Sequence, residues 1–487
     1  MQRLKILALK GTVWALSESV GVALLSFGVF AVLARLLAPQ DFGVVTLAGV
    51  FIVSFNLLIA HSFADCLIQR AEIDRAHLDS VFWAVMAMSL GLAGLCWAGA
   101  APLARWLHEP RLAEVLPALS LSLPLNALGS VQVAMFRRDL SFRAVALRSL
   151  AGRSVGAAVG LALAFLGFGV WSLVGQQLAG VATTVAALAV ASPWRPRLHF
   201  SLPHLRELWG FGFYVSISQV VSGLGEQTVN LLVGALFGST VLGYFAIAWR
   251  MAQLIRTLVS SAVYHVGLSA FARLQEDRAL VAQALLKATR LSCLFGFPIG
   301  VGMAVLAGPI VTVLFGAKWQ ASVALLAILA LDMIPAFYAM FFSACYRAMG
   351  RPGWVLALAL VYVGTGIAAI YLLLPLGIEV VAAAWVAKSV LLLPMQIVLL
   401  RRLVHKPIGT LVAPPLAPLA ASAVMAAAVI ALRWALASAV GNGVLLAISI
   451  VAGALVYLAA IALIAPDLIR STASAVRLSA APSPAPG

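Results

Sequence analysis

Residues 33–48 read LARLLAPQDFGVVTLA and residues 233–248 read VGALFGSTVLGYFAIA. At an offset of 200, Leu36 falls on Leu236, Phe42 on Leu242, Gly43 on Gly243 and Ala48 on Ala248. Each stretch ends one apolar run, turns within a few residues and opens the next, so one helical hairpin is written twice. Further matches follow in the same order. IDRAHL sets Asp74 and Arg75 on Asp277 and Arg278 of EDRALV; MFRRDLSF sets Phe136 and Arg137 on Tyr346 and Arg347 of CYRAMGRP; LGFGVW sets Gly167 on Gly377 of LGIEVV. The chain is a duplication.

The composition says what kind of hairpin this is. Of 487 residues, 63% are hydrophobic and 10% charged, which excludes a set of soluble domains. A bilayer core of about 30 Å takes about 20 apolar residues of helix. Fourteen such runs lie near 12–36, 42–62, 79–104, 115–136, 147–166, 169–192, 208–236, 240–266, 289–315, 321–345, 354–374, 378–400, 411–434 and 443–466. The short alternating segments of a transmembrane barrel are missing. The opening MQRLKILALK resembles a secretory signal, but its apolar run is too long and has no small-x-small site, so it reads as a retained first helix. The four cysteines, Cys66, Cys96, Cys293 and Cys345, form no CxxC pair and suggest neither disulfides nor a metal.

The net charge of +16 is topology. With the N-terminus in the cytoplasm, 24 basic residues fall on cytoplasmic segments and five outside, namely Arg35, Arg105, Arg111, Lys318 and Arg433. By the positive-inside rule both termini are cytoplasmic, with some attraction to anionic lipid headgroups and none to nucleic acid implied. Matched segments then give an all-α polytopic protein of about fourteen transmembrane helices. It has two parallel six-helix repeats, 1–200 and 201–407, related by an axis along the membrane normal. Helices 13 and 14 (408–466) stand outside the repeat, and the Ser-, Ala- and Pro-rich tail 467–487 reads as disordered. Gly152, Gly156 and Gly160 mark a close helix contact, as do Gly296 and Gly300 around Pro298.

Polar groups within spans cost free energy and turn toward water or protein. The seventh run carries Gln219, Ser222, Glu226 and Asn230 at helical spacing; the eighth carries Arg250, Gln253, Thr257, Ser261 and Tyr264. Glu226 and Arg250 both lie about 15 Å from the hairpin turn, near mid-membrane. Asp332 and Lys388 reach a similar depth, and Glu18 lies nearer the cytoplasm. These residues either line a substrate pathway or form internal ion pairs between helices. Catalytic constellations are missing: the outer turns are short, the seven histidines are scattered, and no GxxxxGK[ST] loop is present. The expectation is a transporter with no enzyme activity and no cofactor.

The segments LARLLAPQDFG, FRRDLSF, GFGVWSLV, WRPRLHFSLPHLRELWGFG, LGYFAIAWRMAQLI, LFGAKW and YRAMGRP resemble the Wzx-like polysaccharide flippases of the multidrug, oligosaccharidyl-lipid and polysaccharide exporter superfamily. The likeness runs from about residue 10 to residue 410 and includes the colanic acid and teichuronic acid exporters. It implies a bacterial inner-membrane carrier with helices 1, 2, 7 and 8 around a central cavity. The cargo it implies is an undecaprenyl-pyrophosphate-linked oligosaccharide, flipped by alternating access for polysaccharide biosynthesis. Implied partners are a polysaccharide polymerase and chain-length machinery, with H+ or Na+ as coupling ion. The alternatives are an ion-coupled drug or metabolite antiporter of the same superfamily and a membrane glycosyltransferase.

Overall fold

A computed structural model describes residues 25–59, 73–138, 142–271, 278–436 and 439–466, with residues 21 and 67. Glu18 and the tail 467–487 lie outside the described residues, as do the side chains of Gln219 and Glu226. Regular structure among the described residues is helical throughout. Among the described residues eleven helical spans, some broken into consecutive shorter helices, are long and apolar enough to cross a bilayer. Three differences separate these eleven from the fourteen apolar runs. The first run is described as a helix only over Leu25–Leu36. The run at 147–166 forms the helix Phe142–Phe165, whose first half carries Arg143, Arg148 and Arg153. The runs at 208–236 and 240–266 join as Leu202–Phe271, interrupted only by the backbone of Gly238 at φ 83° and ψ 169°.

Helices are the outcome because lipid offers backbone groups no partners, so each segment must satisfy its own N–H and C=O groups. The chain divides into two compact units, residues 1–246 and 247–487. The first contains α1 (Leu25–Leu36), α2 (Pro39–Ile59), α3 (Arg75–Trp106), α4 (Leu112–Ser120), α5 (Ser122–Arg138), α6 (Phe142–Phe165) and α7 (Val170–Ala191). It also holds the first part of α8 (Leu202–Phe271), whose remainder belongs to the second unit. The segment before α8 is fastened to α3. There the Arg197 N–H donates to the Asp79 carboxylate at 3.2 Å, the Ser201 N–H to the Ser80 hydroxyl at 2.9 Å, and the Trp83 indole to the Arg197 carbonyl at 2.7 Å.

Small residues set the distances in this unit. Helices α6 and α7 pack against each other, and a Cβ at Gly156 would lie 2.6 Å from the Gln176 carbonyl oxygen. Apolar helices gain no hydrophobic free energy by leaving lipid for one another, so this close approach is what holds the pair. The duplicated hairpins use the same device reciprocally. A side chain at Gly43 would collide with the Ser239 carbonyl, and one at Gly243 with the Pro39 carbonyl. Pro39 and Ser239 are themselves equivalent at the offset of 200, so each hairpin receives the other's turn carbonyl in its own glycine notch.

The second unit continues with α9 (Arg278–Val305), α10 (Ala307–Leu314), α11 (Ser322–Ala330), α12 (Met333–Tyr338), α13 (Phe342–Ala348), α14 (Pro352–Leu373), α15 (Ile378–Leu391), α16 (Leu393–Val404), α17 (Ile408–Leu436) and α18 (Asn442–Ile464). Helices α17 and α18 close over α9 in an apolar cluster built on Leu294, Leu306, Met425, Val429, Tyr457 and Ile461. Two phenols pin it: Tyr457 donates to the Leu294 carbonyl and Tyr338 to the Leu411 carbonyl, each at 2.8 Å.

Candidate functional site

The second unit holds a polar site where two spans break. Between residues 322 and 348 a single apolar run is cut into α11, α12 and α13. Pro335 explains the first cut, since it cannot donate to the Leu331 carbonyl four residues earlier. The backbone tightens instead, with the Asp332 N–H on the Leu329 carbonyl at 3.2 Å and the Ile334 N–H on the Leu331 carbonyl at 3.1 Å. Asp332 stands at the break. Glycines on α9 bring it close: a Cβ at Gly300 would lie 2.8 Å from that of Met333, and one at Gly296 would strike the Phe337 ring. A second cut, with Pro394 just beyond it, separates α15 from α16 four residues after Lys388.

From α8, Trp249, Gln253 and Arg256 face the break along one stripe and line a cavity of about 20 Å³ with Leu329, Asp332 and Met333. That is room for one water molecule. The Arg256 guanidinium lies 3.7 Å from Asp332 Oδ2, and its side chain remains 34% exposed. The side chain reaches this level because helical side chains lean toward the N-terminus of their helix. Asp332 Oδ1 is buried and has no hydrogen-bond partner among the described residues.

Lys388 is held differently. The residue is 6% exposed, and its ammonium donates to the Tyr362 carbonyl at 3.1 Å. It sits 2.9 Å from the Trp385 ring centroid and 3.8 Å from that of Tyr362, a cation–π cage. Gly366 makes the space, because a Cβ there would run into the ammonium and into Trp385. Trp385 also meets Trp249 edge-on at 5.9 Å, and the Tyr362 hydroxyl lies 3.1 Å from that of Ser389. Lys388 and Ser389 are close enough to Asp332 to act on its charge. The cage and the cavity meet where Trp385 packs against Trp249.

Gln253, Asp332 and Lys388 thus come together from three segments of sequence. Arg250 is exposed and lies on the adjoining face of α8. Thr257 is also exposed and gives its hydroxyl proton to the Gln253 carbonyl at 2.8 Å. Asn230, in the first unit, is half-buried. Gln219, Glu226 and Glu18 fall outside the described side chains. Arg256 was not among the sequence candidates. It had a signal: once the basic residues of the loops are assigned, the three left over are Arg250, Arg256 and Lys388.

A second polar group gathers at the hairpin tips of the first unit. Asp41 pairs with Arg111 at 3.3 Å and accepts from the Ala38 N–H at 3.1 Å. Buried Glu109 accepts from the Ser239 hydroxyl and, at 3.5 Å, from Gln40.

The fold is similar to that of the lipid II flippase MurJ in an inward closed conformation. The TM-score is 0.72 at 17% identity, covering 96% of this chain and all of that one. It is also similar to an inward-facing multidrug resistance MATE family transporter of the MOP superfamily, with TM-score 0.58 at 17% identity over 81% of this chain and 94% of the other. In sequence, the chain is 31% identical over 321 residues to the succinoglycan biosynthesis transport protein ExoT of Rhizobium meliloti, across 66% of this chain and 65% of that protein. It is 23% identical over 327 residues to the lipopolysaccharide biosynthesis protein WzxC of Escherichia coli, across 66% of each. The teichuronic acid biosynthesis protein TuaB of Bacillus subtilis matches at 21% over 328 residues, 66% of this chain and 67% of the other. The matched stretch spans about two thirds of the length of these relatives. Residues 32–324 match the family model described as polysaccharide biosynthesis protein, and this multi-pass membrane chain belongs to that family.

Proposed function

We propose that the protein is a flippase that moves undecaprenyl-pyrophosphate-linked oligosaccharide from the cytoplasmic to the outer leaflet of a bacterial inner membrane for polysaccharide biosynthesis. The observation that carries this reading is the charge of the polar region in the second unit, where partly exposed Arg256 and caged Lys388 flank the carboxylate of Asp332. A charged side chain at mid-membrane costs about 2.5 to 3.5 kcal/mol on insertion scales, so an excess of cations there calls for an anionic ligand. A guanidinium can take two phosphate oxygens in parallel. In this reading partly exposed Arg256 takes the phosphate, with Arg250 on the next face of α8, while caged Lys388 adds field without contact. An exposed guanidinium within an apolar helix faces water or a polar ligand, not hydrocarbon. The names of the relatives support the same cargo class, and the positive-inside count supports both termini in the cytoplasm.

The test is a leaflet assay in a strain lacking the gene. Lipid-linked intermediates should accumulate in the cytoplasmic leaflet and return to the outer leaflet on complementation with the wild type, but not with Arg256→Ala at equal membrane abundance. Normal leaflet distribution in the deletion strain would remove the flippase reading. Loss of drug resistance there, with glycan export intact, would favour the antiporter.

A further inference from the structure

The counter-charge of Arg256 has an incomplete set of partners. The Arg256–Asp332 separation of 3.7 Å exceeds the roughly 2.8 Å of a well-formed charge-assisted hydrogen bond. The other carboxylate oxygen is buried and accepts nothing among the described residues. The groups around Asp332 can be named element by element. Helix α8 presents Arg256 and Gln253, and α15 presents Lys388 and Ser389. Helix α9 presents Gly296 and Gly300 where it meets α12, which do not titrate. Lys388 cannot take over from Arg256, because two rings, one carbonyl and the notch at Gly366 hold its ammonium in place.

We propose that Asp332 is a proton-linked counter-charge: it neutralises Arg256 in the empty site and takes up one proton when Arg256 turns to a phosphate of the substrate. This rests on the anion-binding reading given above. An Arg256 engaged with phosphate leaves a buried carboxylate without its contact partner. Such a charge is expensive in a low-dielectric setting and is relieved by neutralisation. The adjoining cavity of about 20 Å³ has room for one water to deliver the proton.

Linkage makes the effect reciprocal: if phosphate on Arg256 promotes protonation of Asp332, protonation promotes phosphate binding by the same factor. The proton then travels with the anion and leaves with it when the Arg256–Asp332 pair re-forms. An inward proton gradient would oppose outward movement through this site, so Asp332 is not an antiport carboxylate.

The experiment uses the full-length protein in lipid nanodiscs, with undecaprenyl-pyrophosphate-linked N-acetylglucosamine as the probe. Its diphosphate diester keeps the same charge across the range tested. Calorimetry in two buffers of different ionisation enthalpy counts protons exchanged on binding. The expected result is uptake of about one proton near pH 8, with affinity rising by up to about tenfold per unit as pH falls. Asp332→Asn should bind with no uptake, at a pH-independent affinity no weaker than the wild type at its tightest. Asp332→Glu should keep the uptake, showing that the position tolerates change. Wild-type binding without proton uptake, or uptake that persists in Asp332→Asn, overturns the proposal while leaving the anion site standing. No binding of the probe to the wild type at any pH overturns the anion site as well.

Discussion

Two polar groups within one apolar chain are built on opposite terms. At the hairpin tips, Asp41 has the Arg111 guanidinium and the Ala38 N–H, and Glu109 has the Ser239 hydroxyl and Gln40. In the broken span, Asp332 has one long ion pair, Ser389 close by, and one oxygen with no hydrogen-bond partner among the described residues. The tip residues complete a joint already fixed by the reciprocal glycine notches. The Asp332 region has unspent bonding capacity beside a cavity. Satisfied polar groups in a membrane protein hold helices together; a buried one left unsatisfied is the exception.

The largest expected effect breaks the first half of that contrast. Gly243→Val places two γ carbons and a Cβ against the Pro39 carbonyl, a backbone group that cannot rotate away. Overpacking of this kind costs about 3 kcal/mol or more, so little folded protein should reach the membrane. Gly43→Val should do the same against Ser239. Normal abundance and melting of either variant would show that the hairpins do not depend on the notch.

Arg256→Ala comes next. Loss of a charge-assisted contact of about 1.5 to 3 kcal/mol should weaken binding of the diphosphate probe roughly 10- to 100-fold, with Arg256→Lys retaining part. Adding Asp332→Asn to Arg256→Ala should not restore binding. Restored binding in that double variant would reduce the cluster to an ion pair. Gly366→Ala should cost about 1 to 3 kcal/mol in thermal stability by displacing the caged ammonium and Trp385. Lys388→Met, similar in volume, should cost less; the reverse order would mean that the charge, not the fit, holds the cage. The smallest effect is Arg111→Ala. Its side chain is 53% exposed, and exposed pairs contribute about 0 to 1 kcal/mol, so export and abundance should stay near wild type.

The sequence was enough to determine the class of fold, because in lipid a chain with these apolar runs can satisfy its backbone only as helices. Duplication at an offset of 200 marked the glycine at each hairpin turn, and at an offset of 210 it marked the matched Gly167 and Gly377, both with positive φ at 81° and 93°. Spacing also picked out Gln253, Asp332 and Lys388, since ionisable or amide groups in apolar runs are conspicuous. Which of them meet was decided only by tertiary structure. Helical periodicity groups residues by face but does not say which face meets which neighbour. The polar stripe read around Arg250 and Thr257 is therefore one face away from the stripe of Trp249, Gln253 and Arg256 that lines the cavity. Arg256 and Asp332 are brought together by a backbone break at Pro335 and a glycine seam on α9, and Lys388 is withdrawn into a cage cut by Gly366. These contacts join segments far apart in the chain, and only the packing of helix on helix sets the distance between a carboxylate and the cation that answers it.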